Sequence, residues 1–220
     1  MATTVYKPAG IPVFRKHDDG GADCVLARLL DREPARREGA WPEGFEGGIA
    51  HRLDISTSGA LLVADDLQEL AAIREVFASR RLVKTYRLQA AKDPDWDWNV
   101  CVAPLAHHKT KRKRMVVRRG ESTPKRGRWH QAETRFDRVE GALWQATMRS
   151  GVMHQIRVHA AFVGLPLLGD RIYGGGATPM GWPEGQVYRL HHVGLEGGGF
   201  ATAPVELPAW AQASSTTTGA

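Results

Sequence analysis

The stretch IAHRLDISTSGALLVA, Ile49 to Ala64, decides how the rest of the chain is read. Its second half, ALLVA, is an unbroken apolar run of strand length following Gly59, which reads as a buried strand. Its first half is the opposite. One acid, Asp54, stands between Arg52 and the small hydroxyl residues Ser56, Thr57 and Ser58. A polar turn running straight into a buried strand holds its side chains against the core, which is where a reacting group is best fixed. Taken alone, an Asp before Ser and Thr is an ordinary turn or cap residue.

On the N-terminal side, Asp23 is placed to cap a helix through Arg32, with Val25, Leu26, Leu29 and Leu30 forming its apolar stripe. EPARREGAWPEGFEGG, from Glu33 to Gly48, reads as a surface loop. Downstream, Asp66 and Glu69 have capping-box spacing, and Leu67, Leu70, Ile73 and Phe77 share a face of a helix ending near Arg80. In LVKTYRLQAA, Leu82, Tyr86, Leu88 and Ala90 share one strand face, with Val83, Thr85, Arg87 and Gln89 on the other. Further strands are expected at WNVCVA, HQAETRF, ALWQATM and VYRLHHVGL. In MHQIRVHAAFVG, Ile156, Ala160 and Val163 have helical spacing before Gly164. The expected architecture is α+β with more strand than helix, in one domain over residues 1–208 and a disordered tail over 209–220, ending in QASSTTTGA.

Charge narrows the partner. The net charge is +6, and ten of the 30 Lys and Arg residues lie between Lys109 and Arg128 against the single acid Glu121. Such a run reads as a solvated loop unless an anion screens its self-repulsion, and the phosphates of a polyanionic partner would do so with release of counterions. Lys111, Arg112, Lys113 and Arg114 are its densest part. No apolar run reaches the ~18 residues of a membrane span, and MATTVYKPAG lacks the pattern of a signal peptide, so a soluble cytoplasmic protein is expected. Cys24 and Cys101 are too few for a disulfide framework. The nine histidines show no metal-binding spacing: His154 and His159 do not share a helical face, and His107 with His108 and His191 with His192 are adjacent pairs.

Five boxes, in order from Lys7 to Leu195, carry a family resemblance. HRLDISTSG resembles the HRLD-x-x-TSG box of the RluA-type RNA pseudouridine synthases. KPAGIPV resembles that family's opening strand and turn, and VKTYRLQA its K-x-Y box. HQIRVHAAFVGLPLLGDRIYG, His154 to Gly174, resembles its HQIR-x-H and P-x-x-GD-x-x-YG boxes, and LHHVGL its closing LHA-x-x-L strand. The resemblance implies the pseudouridine-synthase fold, a curved, mixed and mainly antiparallel sheet divided by a catalytic cleft. It implies an enzyme that isomerises uridine in structured RNA, such as ribosomal or transfer RNA, without cofactor or metal. Asp54 would be the catalytic carboxylate, Arg157 the cleft arginine paired with it, and Tyr86 the ring stacked on the target uracil. Arg52 would fill the space left by the flipped base or grip neighbouring phosphates, with Lys84, His154 and the Lys111 to Arg114 cluster also on the RNA-binding side.

Three departures bear on substrate choice. Val152 in SGVM stands where the family has an arginine, Ile55 replaces a residue that is often polar, and the short strand expected before KPAG is missing, as is a separate small RNA-binding domain. Two other readings compete with the enzyme: an inactive RNA-binding protein or chaperone on the same fold, and a glycosidase using two carboxylates, for which Asp65 and Asp66 are the nearest acids.

Overall fold

A computed structural model describes residues 1–15 and 23–214. Its main sheet is eight-stranded. The strands are β1 (Thr3–Lys7), β2 (Ser58–Val63), β3 (Val83–Gln89), β4 (Trp98–Cys101), β8 (Thr134–Glu140), β9 (Leu143–Met148), β10 (Leu190–Gly197) and β11 (Phe200–Ala201), with β5 (Leu105–His108), β6 (Met115–Val117) and β7 (Lys125–His130) in a separate sheet. The main order is β1-β2-β10-β3-β9-β8-β4, with β11 on β10, and the small sheet runs β6-β5-β7. Every pairing is antiparallel except β2 with β10. The expected mixed, mainly antiparallel architecture is therefore present.

The unbroken apolar run in β2 is explained by what covers it. Leu61 and Val63 enter a core shared with Val25 and Leu29 of α1 (Val25–Arg32) and Ile156 and Ala160 of α3 (Gln155–Phe162). Leu62 and Ala64 enter a second core with Leu70, Ile73 and Val76 of α2 (Leu67–Ala78). With helices on both faces, alternate residues of one strand are equally dry, and burial of each leucine contributes about 1.5–3 kcal/mol. A third cluster joins the small sheet to α3 through Leu105, Met115, Val117, Val158 and Tyr173.

Several local expectations need correction. The cap of α1 is Cys24, whose sulfur accepts from Ala27 N at 3.3 Å, while Asp23 pairs with Arg28. In α2, Asp66 accepts from Glu69 N, but Glu69 returns its bond to Asp65 N, and Val76 is buried where Leu67 is 46% exposed. The strand thought missing before KPAG is β1, which ends at Lys7. The loop over Glu33–Gly48 contains two short 3-10 turns, Pro34–Arg37 and Glu46–Gly48. The run from Lys109 to Arg128 is not one loop, since it supplies β6 and the start of β7. The tail expected from residue 209 begins with a 3-10 turn, Ala209–Ala211, whose Ala211 is fully buried; residues 215–220 of that tail lie outside the described residues. Among the described residues no helix is long and apolar enough to cross a membrane.

Candidate active site

The parallel pairing of β2 and β10 sets the starts of both strands side by side, with Ser58 opposite His191 and Gly59 opposite His192. Gly59 makes that approach possible: at φ 126°, a Cβ would lie 2.0 Å from the His192 carbonyl oxygen. The turns leading into the two strands then meet. Asp54 comes from one and Tyr188 from the other, 134 residues apart in sequence, with the Tyr188 hydroxyl donating to Asp54 Oδ2 at 3.3 Å.

The hydroxyl residues after Asp54 stitch these turns together. Ser56 Oγ donates to Gly185 O at 3.0 Å and accepts from Val187 N at 3.3 Å, and Ser58 Oγ is 2.9 Å from His191 Nδ1. From the third side Lys7 supports the Asp54 turn. Its fully buried ammonium donates to Ile55 O at 2.8 Å, Thr57 O at 2.7 Å and Pro8 O at 3.0 Å, which engages all three of its hydrogens. Burial pulls the Lys7 pKa down to about 7, and the charge of Asp54 works against that shift.

The start of α3 completes the site. Arg157 Nη1 lies 3.5 Å from Asp54 Oδ2, and His154 Nε2 lies 3.8 Å from the same oxygen. The expected pairing of Arg157 with Asp54 is thus the longer of two contacts. The closer partner is Asp170, gripped bidentately by Nε at 2.7 Å and Nη2 at 3.0 Å, both side chains buried. The guanidinium also lies 4.3 Å from the ring centroid of Tyr188 and 5.1 Å from that of Tyr173. Burial opposes the Arg157 charge, but Asp170 and Asp54 together hold its pKa above the ordinary arginine value.

His154 caps α3 in a left-handed conformation, φ 54°, uncommon for a residue with a Cβ. Its Nδ1 is 2.9 Å from the Tyr173 hydroxyl, which also accepts from Met115 N at 2.9 Å. Burial, and then the neighbouring Arg157 charge, lower the His154 pKa, so its ring is neutral at pH 7. Gln155 anchors the same turn. Its amide oxygen accepts from Ser150 Oγ and Val152 N, and its amide nitrogen donates to Glu133 O and Thr134 Oγ1. Val152, at the family's arginine position, packs on the cluster of Val158 and Tyr173.

Tyr86 sits mid-strand on β3, opposite His192 in register, its ring 4.6 Å from the His192 ring. Burial first, then the nearby Asp54 charge, raise its pKa, so the phenol stays protonated. The Asp54 side chain is one-third exposed, so the group on which these side chains converge is open to a ligand.

The remaining expected residues divide. Arg52 is exposed. Lys84 is buried and donates to Ser150 O at 3.1 Å with its ammonium 4.9 Å from the Phe77 ring centroid, so it braces the chain before α3 and does not face an open surface. Lys111, Arg112 and Lys113 are exposed in the turn between β5 and β6, while Arg114 leans over Tyr173 at 5.9 Å, tying the basic cluster to the Asp54 site. Asp65 pairs with Arg36 and the N-terminal amine, and Asp66 caps α2, so neither is a second carboxylate for Asp54. The sequence by itself assigns no role to Lys7, Asp170, Tyr173 or Tyr188. The GD-x-x-YG and KPAG boxes contained the signal for three of them, and Tyr188 had none beyond its place before the last long strand.

Among the described residues, no three His, Cys, Asp or Glu side chains are grouped to hold a metal ion. Human RNA pseudouridylate synthase domain containing 4 superposes with a TM-score of 0.66 at 21% identity, over 96% of this chain and 87% of that one. Human RNA pseudouridylate synthase domain containing 1 gives 0.65 at 22%, over 90% and 82%. These likenesses show the pseudouridine-synthase fold. An uncharacterized RNA pseudouridine synthase of Aquifex aeolicus is 33% identical over 171 residues, 77% of this chain and 52% of that protein. Ribosomal large subunit pseudouridine synthase D of Xylella fastidiosa is 34% identical over 187 residues, 84% and 53% respectively. The chain spans about half the length of these two curated relatives. The profile of the RNA pseudouridylate synthase family matches residues 2–162, which include Asp54, Tyr86 and Arg157, and the chain belongs to that family.

Proposed function

We propose that this protein is a cytoplasmic RNA pseudouridine synthase that isomerises a specific uridine of structured ribosomal or transfer RNA, with Asp54 as the reacting carboxylate. The observation that carries the reading is the convergence on Asp54 Oδ2 of Tyr188, Arg157 and His154 at 3.3, 3.5 and 3.8 Å, around a side chain one-third exposed. A carboxylate in contact with a fixed guanidinium is held in one orientation and is screened from the phosphates of an approaching RNA.

The reaction breaks the bond from N1 to C1′, turns the detached uracil, joins C5 to C1′, and moves one proton from C5 to N1 by way of a side chain or solvent. Substrate and product have the same composition, so no cosubstrate or cofactor enters the balance. An ionised Asp54 serves as nucleophile at the sugar or the ring, or as base for a sugar proton. Tyr86 offers a ring face for the uracil and, as a neutral phenol, a polar group beside C5. The target base must first leave its stack, which costs a few kcal/mol, and the exposed Arg52 is suited to occupy the space it leaves. Lys111, Arg112 and Lys113 supply phosphate contacts outside the cleft.

The test is to map pseudouridine in cellular RNA with and without the gene and then add purified protein to the unmodified RNA. The reading expects a discrete site to be lost and restored. No change in any site, with no pseudouridine formed by the purified protein, would refute it.

A further inference from the structure

Between β6 and the outer face of α3 lies a pocket of about 500 Å³ that the reaction at Asp54 does not use. Its floor is apolar and dry, with Met115, Val117 and Val158 nearly fully buried. Its rim exposes two large apolar side chains, Phe162 at 41% and Ile172 at 40%. The lining includes His108, Arg114 and Arg119 and no acid. Arg119 lies 5.6 Å from the Phe162 ring centroid and Arg114 lies 5.9 Å from that of Tyr173, so each cation stands beside an aromatic face.

We propose that this pocket binds a second unstacked nucleotide of the RNA, its base against Phe162 and Ile172 and its phosphate on Arg114 and Arg119. The proposal rests on the reading of the chain as acting on RNA. The volume lies within the few hundred Å³ typical of small-molecule sites. Aromatic and arginine faces beside a basic rim form the usual platform for an unstacked base, whereas an apolar peptide would leave the two arginines without an anion. Position adds a reason. Tyr173 is shared by both sites, with its hydroxyl on His154 and its ring near Arg157, so one layer of side chains separates the pocket from the cleft. Drawing a uridine out of a stack leaves its neighbour without a stacking partner, and a pocket at this place receives that neighbour.

The test is ultraviolet cross-linking of the full chain to a pool of short random-sequence RNAs, followed by proteolysis and mass spectrometry. Nucleotide adducts are expected on the peptides carrying Phe162 and Tyr173, in wild type and in Asp54→Asn alike. A Phe162→Ser, Arg119→Gln double variant should lose the Phe162 pocket adducts, keep those at the cleft, and bind the pool about tenfold more weakly or worse. Both side chains lie on the surface, and an unchanged circular dichroism spectrum checks the fold. Adducts confined to the cleft and the Lys111 to Arg114 turn, or unchanged affinity in the double variant, overturn the pocket and leave the synthase reading intact. No adduct anywhere overturns RNA binding itself. Concentration-dependent self-association of the wild type that Phe162→Ser abolishes would assign the surface to a second copy of the chain and also overturn the proposal.

Discussion

The Asp54 cleft and the basic turn of the small sheet are both crowded with charge, yet they handle it in opposite ways. In the cleft, Lys7, Arg157 and Asp170 are nearly or fully buried, and their polar atoms meet partners at 2.7 to 3.5 Å. Around Lys111, Arg112 and Lys113 the cations stand in solvent on a short turn. Buried charges are expensive unless fully partnered, so changes in the cleft should disturb stability and chemistry together. Exposed charges cost the fold little, so changes in the turn should be felt only by a bound polyanion. The lesson is that one protein can separate the groups that hold geometry from the groups that gather substrate.

The largest effect should come from Arg157. An Arg157→Met variant leaves Asp170 buried without its partner, and we expect a loss of about 3–5 kcal/mol of stability in urea denaturation, together with loss of activity. Adding Asp170→Leu should restore most of the stability, because no buried charge is left unpaired, and should not restore activity. Recovery of both by the double variant would show that Arg157 serves the fold alone.

Acid should expose the next largest effect. His191 and His192 are fully buried, and burial lowers the pKa of each to about 4. Their folded-state values lie below the unfolded value of about 6.5, so the unfolded chain binds more protons between these limits. Stability is therefore lost as pH falls from about 6.5 towards 4, on the order of 2–3 kcal/mol per ring at a pH of about 4.5. Urea midpoints measured across this range check it. His192→Ala should lower stability at neutral pH through the cavity it leaves, while making the acid loss smaller.

Tyr188→Phe removes one donor to Asp54 without changing the packing. Its turnover at saturating RNA should fall by about tenfold, with stability nearly unchanged. Equal activity would take Tyr188 out of the site.

The smallest effect on the fold should come from the turn. Changing Lys111, Arg112 and Lys113 to Gln should leave stability within about 0.5 kcal/mol and the saturated rate intact. RNA binding should weaken, and its log–log salt slope should become shallower by about 2 to 3. Arg114 is left in place because it leans on Tyr173. An unchanged slope would move phosphate contacts to Arg52 and other exposed cations near the cleft.

What could be read in advance follows from where each signal is written. β2 carries its signal in an unbroken apolar run, and α2 and β3 carry theirs in the spacing of apolar side chains, so those elements are legible. β7 was hidden because the residues Lys125 to Arg128 are all exposed and its pairing with β5 is a backbone matter. Asp54, Tyr86 and Arg157 stood in recognisable boxes. The bidentate grip of Asp170 on Arg157, the Lys7 staple and the approach of Tyr188 could not be read, because they depend respectively on how the chain returns after α3, on the antiparallel pairing of β1 with β2 and on the parallel pairing of β2 with β10. Arg114 is expected only as part of the RNA-binding cluster, and the fold sets it beside Tyr173 at the edge of the Asp54 site.

The central claim is that the Asp54 carboxylate performs the isomerisation, and Asp54→Asn tests it most directly, since the replacement keeps the shape and removes the charge and basicity. Purified variant and wild type would be mixed with RNA from cells lacking the gene, with pseudouridine and RNA affinity measured in parallel. The account predicts no pseudouridine from the variant at nearly unchanged RNA affinity. Activity within about tenfold of wild type would contradict it, because loss of a reacting carboxylate costs far more than the ~1.4 kcal/mol that a tenfold change represents.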